Sequence, residues 1–230
     1  MLAQRVCAHD RLREGLLLEE EPESLMLLRH RFGRTIEVWT AYTVFLERQV
    51  EVGSDRVCMN DLIVEQTTHT LNMVFYSFVY SLFDKSGVSF PKATQPLLDR
   101  LSPLAREARA LVVDAERKIH SELSKIRNNI GFHGGAAMKN HRSGYQAYAS
   151  FHPGEVDVIM QGMRVFFREA EKSFTPAEPY ANQPDDEVTV EIMELCRSIR
   201  REIDETDGEG LGPMFEALGR RLSARRETAT

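Results

Sequence analysis

The chain has 230 residues, 42% of them hydrophobic and 28% charged, with a formal net charge of −6. That length suits one domain, or one domain with an appendage, and can bury a sizeable core; the composition is that of an ordinary globular protein. The acidic balance excludes a surface coated in basic charge for nucleic acid.

Residues 1–23 read as an N-terminal arm, with the apolar patch Leu16-Leu17-Leu18 and an acidic run stopped by Pro22. Ser24 is placed to cap a first long helix to about Val52, striped by Leu25, Leu28, Phe32, Ile36, Trp39, Thr43, Leu46 and Val50. After a turn at Gly53-Ser54-Asp55, a second helix is predicted from about Asn60 to Lys85, stopped at Gly87. Its inner stripe is Leu71, Phe75, Phe78 and Leu82, and Tyr76, Tyr80 and Phe83 widen the apolar face. Aromatics at helical spacing point to a core or a dimer interface more than to base stacking. His69 and Asn72 sit beside this stripe.

Residues 88–103 hold three prolines and predict a connector with at most a turn of helix. A third long helix runs from Pro103 to Ile130, with Leu104, Ala108, Leu111, Ala115, Ile119, Leu123, Ile126 and Ile130 as an unbroken apolar seam. Gly131 and Gly134-Gly135 end it, because glycine readily takes the left-handed conformation of a helix stop. Residues 136–152, polar with Tyr145, Tyr148 and Phe151, predict a loop. Pro153 opens a fourth helix to about Phe174, with Val156, Ile159, Met163, Phe166 and Phe167 inward.

Residues 175–187 form a proline-rich acidic linker. Beyond it, Val188, Ile192, Leu195, Ile199 and Ile203 mark a fifth helix, and Phe215, Leu218 and Leu222 a short last one near the arginines 220, 221, 225 and 226. No strand with a partner is expected. The predicted fold is all-α: an antiparallel four- to five-helix bundle over 24–174 with a C-terminal helical extension at 188–230.

The three cysteines, Cys7, Cys58 and Cys196, are far apart and odd in number, which allows neither a disulfide framework nor a Cys-x-x-Cys knuckle. Buried thiols in a reducing cytoplasm fit better. No signal peptide is evident, and the apolar run Leu71–Phe83, broken by Asn72, Ser77 and Ser81, is too short to span a bilayer. A cytoplasmic protein without membrane association is the expectation.

Chemistry concentrates in residues 117–142. Arg117, Lys118, Lys125, Arg127, Lys139 and Arg142 face a single acid, Glu122, giving +5 in a chain whose remainder is −11. Such an island fits an anionic ligand held at one place, or else a solvated helix end favoured by the helix dipole. Arg127 and His133 are six residues apart, and a break at Gly131 lets His133 fold back toward Arg127. A guanidinium holds phosphate bidentately and stabilises developing negative charge. A histidine near neutral pKa moves the proton of a ribose 2′-hydroxyl or of a leaving oxygen, and Asn128 can orient either group. These are the minimum parts for metal-independent RNA cleavage, leaving a cyclic phosphate and a 5′-hydroxyl.

The stretch Arg127-Asn128-Asn129-Ile130-Gly131-Phe132-His133 resembles the Arg–(four to six residues)–His motif of the HEPN superfamily, in which a polar residue, often Asn, follows the Arg at the end of a long bundle helix. Residues 24–174 match that family's helical layout in order and length. The resemblance implies a ribonuclease, usually an obligate dimer with two motifs facing one another, found as a toxin, an antiviral-defence component or an RNA-processing effector. Carried over, Arg127 binds and stabilises phosphate, Asn128 positions it, and His133 is the acid or base. Some branches carry a Tyr two residues after the His, where this chain has Gly135.

Lys125, His120 and Asn129 are candidate substrate contacts at the same end of the helix. Glu116 and His120, four apart, share nearly the face of Arg127 but lack a third ligand at recognisable spacing, so no metal site is expected. His141 and His152 flank the segment after the motif. Neither a G-x-x-x-x-G-K-[ST] loop nor a G-x-S-x-G elbow occurs, and no cofactor is expected. RNA, a second copy of the chain and a regulatory protein are the expected partners. Two readings compete with the enzyme: a catalytically silent bundle that binds RNA or a protein, and a purely structural helical oligomer.

Overall fold

The computed structural model describes residues 19–51, 61–131, 138–175 and 186–205. Seven α-helices account for most of them: α1 (Glu23–Glu51), α2 (Asp61–Ser81), α3 (Phe90–Thr94), α4 (Pro103–Asn129), α5 (Met138–Ser150), α6 (Gly154–Ala170) and α7 (Asp186–Glu205), with a 3₁₀ helix at Gln95–Arg100. The protein is an all-α helical bundle, as its periodicity predicts. The expected arm before residue 19, the last helix after residue 205, Cys7 and Cys58 lie outside the described residues. Among the described residues, no helix is long and apolar enough to cross a membrane.

Helix α4 packs on α6, α5 and α2, while α1 lies against α2 and α7 against α6. Its start is set locally. Pro103 needs no hydrogen-bond acceptor for its nitrogen, and the Ser102 hydroxyl accepts the Ala105 N–H at 3.1 Å. Because α4 has neighbours on several sides, its buried stripe is wider than the predicted seam: Ala105, Val112 and Glu116 are buried, whereas Leu104, Leu111 and Ile130 are only half-buried. In α2 the buried face is likewise turned, running through Asn72, Phe75, Tyr76, Val79, Leu82 and Phe83, with Leu71 and Phe78 half-buried.

Helix α6 is the core element. All five of its predicted inward residues are buried, and its aromatics join a chain of ring contacts: Phe32–Phe167 at 5.3 Å, Phe166–Phe167 at 5.4 Å and Phe90–Phe166 at 5.0 Å. Each such pair adds roughly 1 kcal/mol beyond the area it buries. Phe90 thereby nails the proline-rich connector to the core, aided by its N–H bond to the Leu82 carbonyl at 2.8 Å.

Four sequence expectations need correction. The segment expected as a loop over 136–152 contains helix α5, Met138–Ser150. Two short strands exist, Glu19–Glu20 (β1) and Phe174–Thr175 (β2), paired in parallel. The Pro22 carbonyl accepts the N–H groups of Leu25 and Met26, so α1 begins a residue before Ser24. Gly131 does not stop α4 through a left-handed φ; it is required by space, since a Cβ there would come within 2.4 Å of Ser77 Oγ.

The sequence leaves open whether the C-terminal extension packs on the bundle; α7 does. Thr189, Ile192, Met193, Cys196, Arg200 and Ile203 are buried, whereas Val188 and Leu195 of the predicted stripe are exposed. Cys196 is a fully buried free thiol, with a pKa pushed up to about 11 by burial. Its contact face is fixed by a buried ion pair, Arg200 donating to both Glu155 oxygens at 2.8 and 2.6 Å.

Candidate functional site

Helix α4 delivers Glu116, His120 and Arg127 along one face, since residues four and eleven apart lie within a narrow arc of an α-helix. That face meets α2 at Tyr80. The Arg127 guanidinium carbon sits 5.2 Å from the centre of the Tyr80 ring, a cation–π contact, and the His120 ring lies 5.6 Å from the same centre. Tyr80 thus serves as a shelf for both groups, each of which remains partly accessible to water.

His120 is held from behind. Its Nδ1 bonds Glu116 Oε1, one helical turn back, and Glu116 is buried with 9% of its surface exposed. A carboxylate at Nδ1 favours a proton on that nitrogen and leaves Nε2 outside the pair. This is the arrangement of an oriented histidine, whatever it contacts.

Arg127 Nη1 donates to Asn128 Oδ1 at 3.3 Å, and Asn128 Nδ2 reaches Ser124 Oγ at 3.4 Å. Among the described residues, no carboxylate lies within ion-pair distance of Arg127. Asp84, in the turn after α2, feels the field of Arg127 without pairing with it. Its carboxyl is held below the usual range by the Ser86 N–H and hydroxyl, and further by the fields of Arg127 and Arg31. Asp84 therefore stays ionised near neutral pH and leaves the guanidinium unclamped.

The structure brings Arg127, Asn128 and His120 together and separates the other candidates. Lys125 is turned away from Arg127 by its place on the helix and is 3.7 Å from Glu122. Asn129 packs toward α5: a Cβ on Gly144 would stand 3.1 Å from the Asn129 Cβ and 2.8 Å from Ile130. His133 lies outside the described residues, so the Arg–His pair has no measured geometry. Gly131 does fix where the chain leaves α4, packed against Ser77 with its N–H bonded to the Ile126 carbonyl at 2.8 Å.

Tyr80 was readable only as part of an apolar face. Nothing in its local sequence separates it from Tyr76, which is buried; the difference comes from its position at the rim of the α2–α4 contact. Deeper along α2, Asn72 Nδ2 donates to the Tyr148 hydroxyl at 2.8 Å, and Tyr76 packs on Tyr148 and Phe151. Burial pushes the Tyr42 phenol up to about 12, and raises those of Tyr76 and Tyr148, so these hydroxyls stay protonated near neutral pH and are not bases. Among the described residues, no group of three His, Cys, Asp or Glu side chains is arranged to hold a metal ion.

Comparison with protein families, with curated proteins and with solved structures finds no match to this chain.

Proposed function

We propose that the protein is an endoribonuclease that cleaves RNA without a metal, through attack of the ribose 2′-oxygen on the adjacent phosphorus. The P–O5′ bond breaks as the P–O2′ bond forms, giving a 2′,3′-cyclic phosphate and a 5′-hydroxyl. The observation that carries this reading is Arg127, a guanidinium at the last turn of a long helix, seated on Tyr80 and free of any described carboxylate in ion-pair range. It is poised to take a phosphodiester without first breaking a salt bridge.

In this reading Arg127 neutralises the charge that builds on the non-bridging oxygens, and Asn128 orients it. His133 takes the 2′-hydroxyl proton or supplies one to the departing O5′, a role that rests on the HEPN resemblance. His120, presented by Glu116, contacts the substrate from the same shelf. The same resemblance supports a homodimer working as a cytoplasmic toxin or antiviral effector under a regulatory partner.

The test is incubation of the purified protein with a mixed RNA pool in EDTA, beside His133→Ala. Cleavage by the parent alone, with cyclic-phosphate ends, is the expected result. Equal cleavage by both proteins would sink the assignment of His133. Absence of cleavage with RNA binding retained would instead select a catalytically silent RNA-binding bundle.

A further inference from the structure

Helix α5 carries a stripe that the proposed chemistry does not use. Lys139, Arg142, Tyr145 and Gln146 recur at helical spacing, and all four are exposed. The helix holds no acidic residue at all, in a chain with a net charge of −6. Among the residues whose side chains are described, neither Lys139 nor Arg142 has a carboxylate within ion-pair distance. Tyr145 leaves 48% of its surface in water, and its ring stacks on that of His69, also exposed, at 5.7 Å and 29°.

The stripe is tied to the Arg127 end of α4 by close packing. Gly144 sits so near Ile130 and Asn129 that no side chain fits there, which fixes Tyr145 beside the point where α4 ends. On α2, His69 and Tyr80 are eleven residues apart, or roughly 16 Å along the helix. A path therefore runs from the Arg127–Tyr80 shelf to the Tyr145–His69 stack, with a cationic side chain at each end.

We propose that this stripe is a docking track for single-stranded RNA, in which Tyr145 stacks an unpaired base while Lys139 and Arg142 hold the phosphates next to it. The proposal rests on the ribonuclease reading for its choice of RNA. Its geometry rests on α5 and on the contacts α5 makes with His69 of α2 and with the end of α4. Charge complementarity selects a polyanion, and the exposed aromatic face selects one whose bases are free to stack, because a duplex keeps its bases inside. A sequence-tolerant grip is expected, since every base has a π-face.

The test uses the full-length protein and a fluorescein-labelled 2′-O-methyl oligonucleotide, which lacks the attacking hydroxyl and so reports binding whether or not the protein cleaves RNA. Anisotropy titrations would compare the parent with Tyr145→Phe, Tyr145→Ala and the Lys139→Gln/Arg142→Gln double variant. Tyr145→Phe should bind like the parent, and Tyr145→Ala roughly ten- to a hundredfold more weakly. The double variant should flatten the dependence of log K on log salt by about 1.4, the value for two phosphate contacts on a single strand. None of these side chains is buried, and circular dichroism of each variant should show the helical signal of the parent. Binding unchanged by Tyr145→Ala, duplex RNA bound as tightly as single strands, or equal competition by heparin would each overturn the proposal. Tyr145-dependent binding in a protein that cleaves no RNA would uphold the track while removing the nuclease.

Discussion

The two ends of α4 treat charge in opposite ways. Near its first half and against α6 and α7, cations are matched: Arg200 grips Glu155 in the interior, Arg197 reaches both Glu107 oxygens at 2.7 Å, and Lys118 lies between Asp114 and Asp204, 3.4 Å from each. At the far end, Arg127 lies on a tyrosine, and Lys139 and Arg142 project from a helix without acids. The residue types are the same in both places, so composition does not separate them. A cation whose partner is supplied by the chain contributes to holding helices in register. One left without a partner can receive an outside anion at no cost in broken bonds.

The sharpest way to break this contrast is at the buried pair. Arg200→Ala removes both hydrogen bonds to the buried Glu155 carboxylate, leaving it only Lys118 at 3.9 Å, and should cost about 3 kcal/mol, read from urea unfolding followed by the single tryptophan, Trp39. Replacing both partners by Met and Leu should cost far less, and an equal loss in both variants would contradict a pairing role. At the other end, Arg127→Ala should lower RNA cleavage by about 10²–10³-fold while leaving the urea midpoint near that of the parent. A large drop in stability would move Arg127 into the structural class. The turn between the two regimes is tested by Gly131→Ala, expected to cost about 1–3 kcal/mol through its contact with Ser77. Adding Ser77→Ala should recover part of that loss; simple additivity of the two changes would show that the contact is not the cause.

The smallest effect is a pH dependence. Asp157 is exposed at the surface of α6, yet the protein crowded around its carboxyl raises it above its ordinary value, and the nearby His152 offsets this only in part. The folded state thus prefers the protonated acid. Asp157 opposes folding above that raised value, and the penalty vanishes as pH falls below the ordinary carboxylate range. Asp157→Asn should therefore raise the unfolding midpoint slightly at neutral pH and leave it unchanged in acid. A lower midpoint at neutral pH would reverse the sign of this argument.

The long helices were legible because their apolar periods are long and uninterrupted. Helix α5 was not, because most of what it buries is small or polar-edged: Gly144, Ala147 and Tyr148, with Phe151 just beyond it. Its glycine, Gly144, is there for the close approach to Ile130. The faces of α2 and α7 were turned by a residue or so from their predicted stripes, since a helix with two neighbours buries more than one line of side chains. At the candidate site, Arg127, Asn128, His120 and Glu116 could be singled out by residue type and spacing. The role of Tyr80 as their shelf could not, because a tyrosine at the rim and one in the core look alike until the partner helix is in place.

The docking of α7 has a consequence for assembly in trans. Its hold on α6 includes an apolar stripe, the two hydrogen bonds between Arg200 and Glu155, and the Arg168–Asp186 ion pair at 3.8 Å. It behaves as a ligand that the chain carries on a leash, present at a high effective concentration whatever the dilution of the protein. Severing the polypeptide between residues 175 and 186 would turn that intramolecular contact into a bimolecular one, and the freed segment would become a peptide whose affinity for the remaining bundle can be titrated directly.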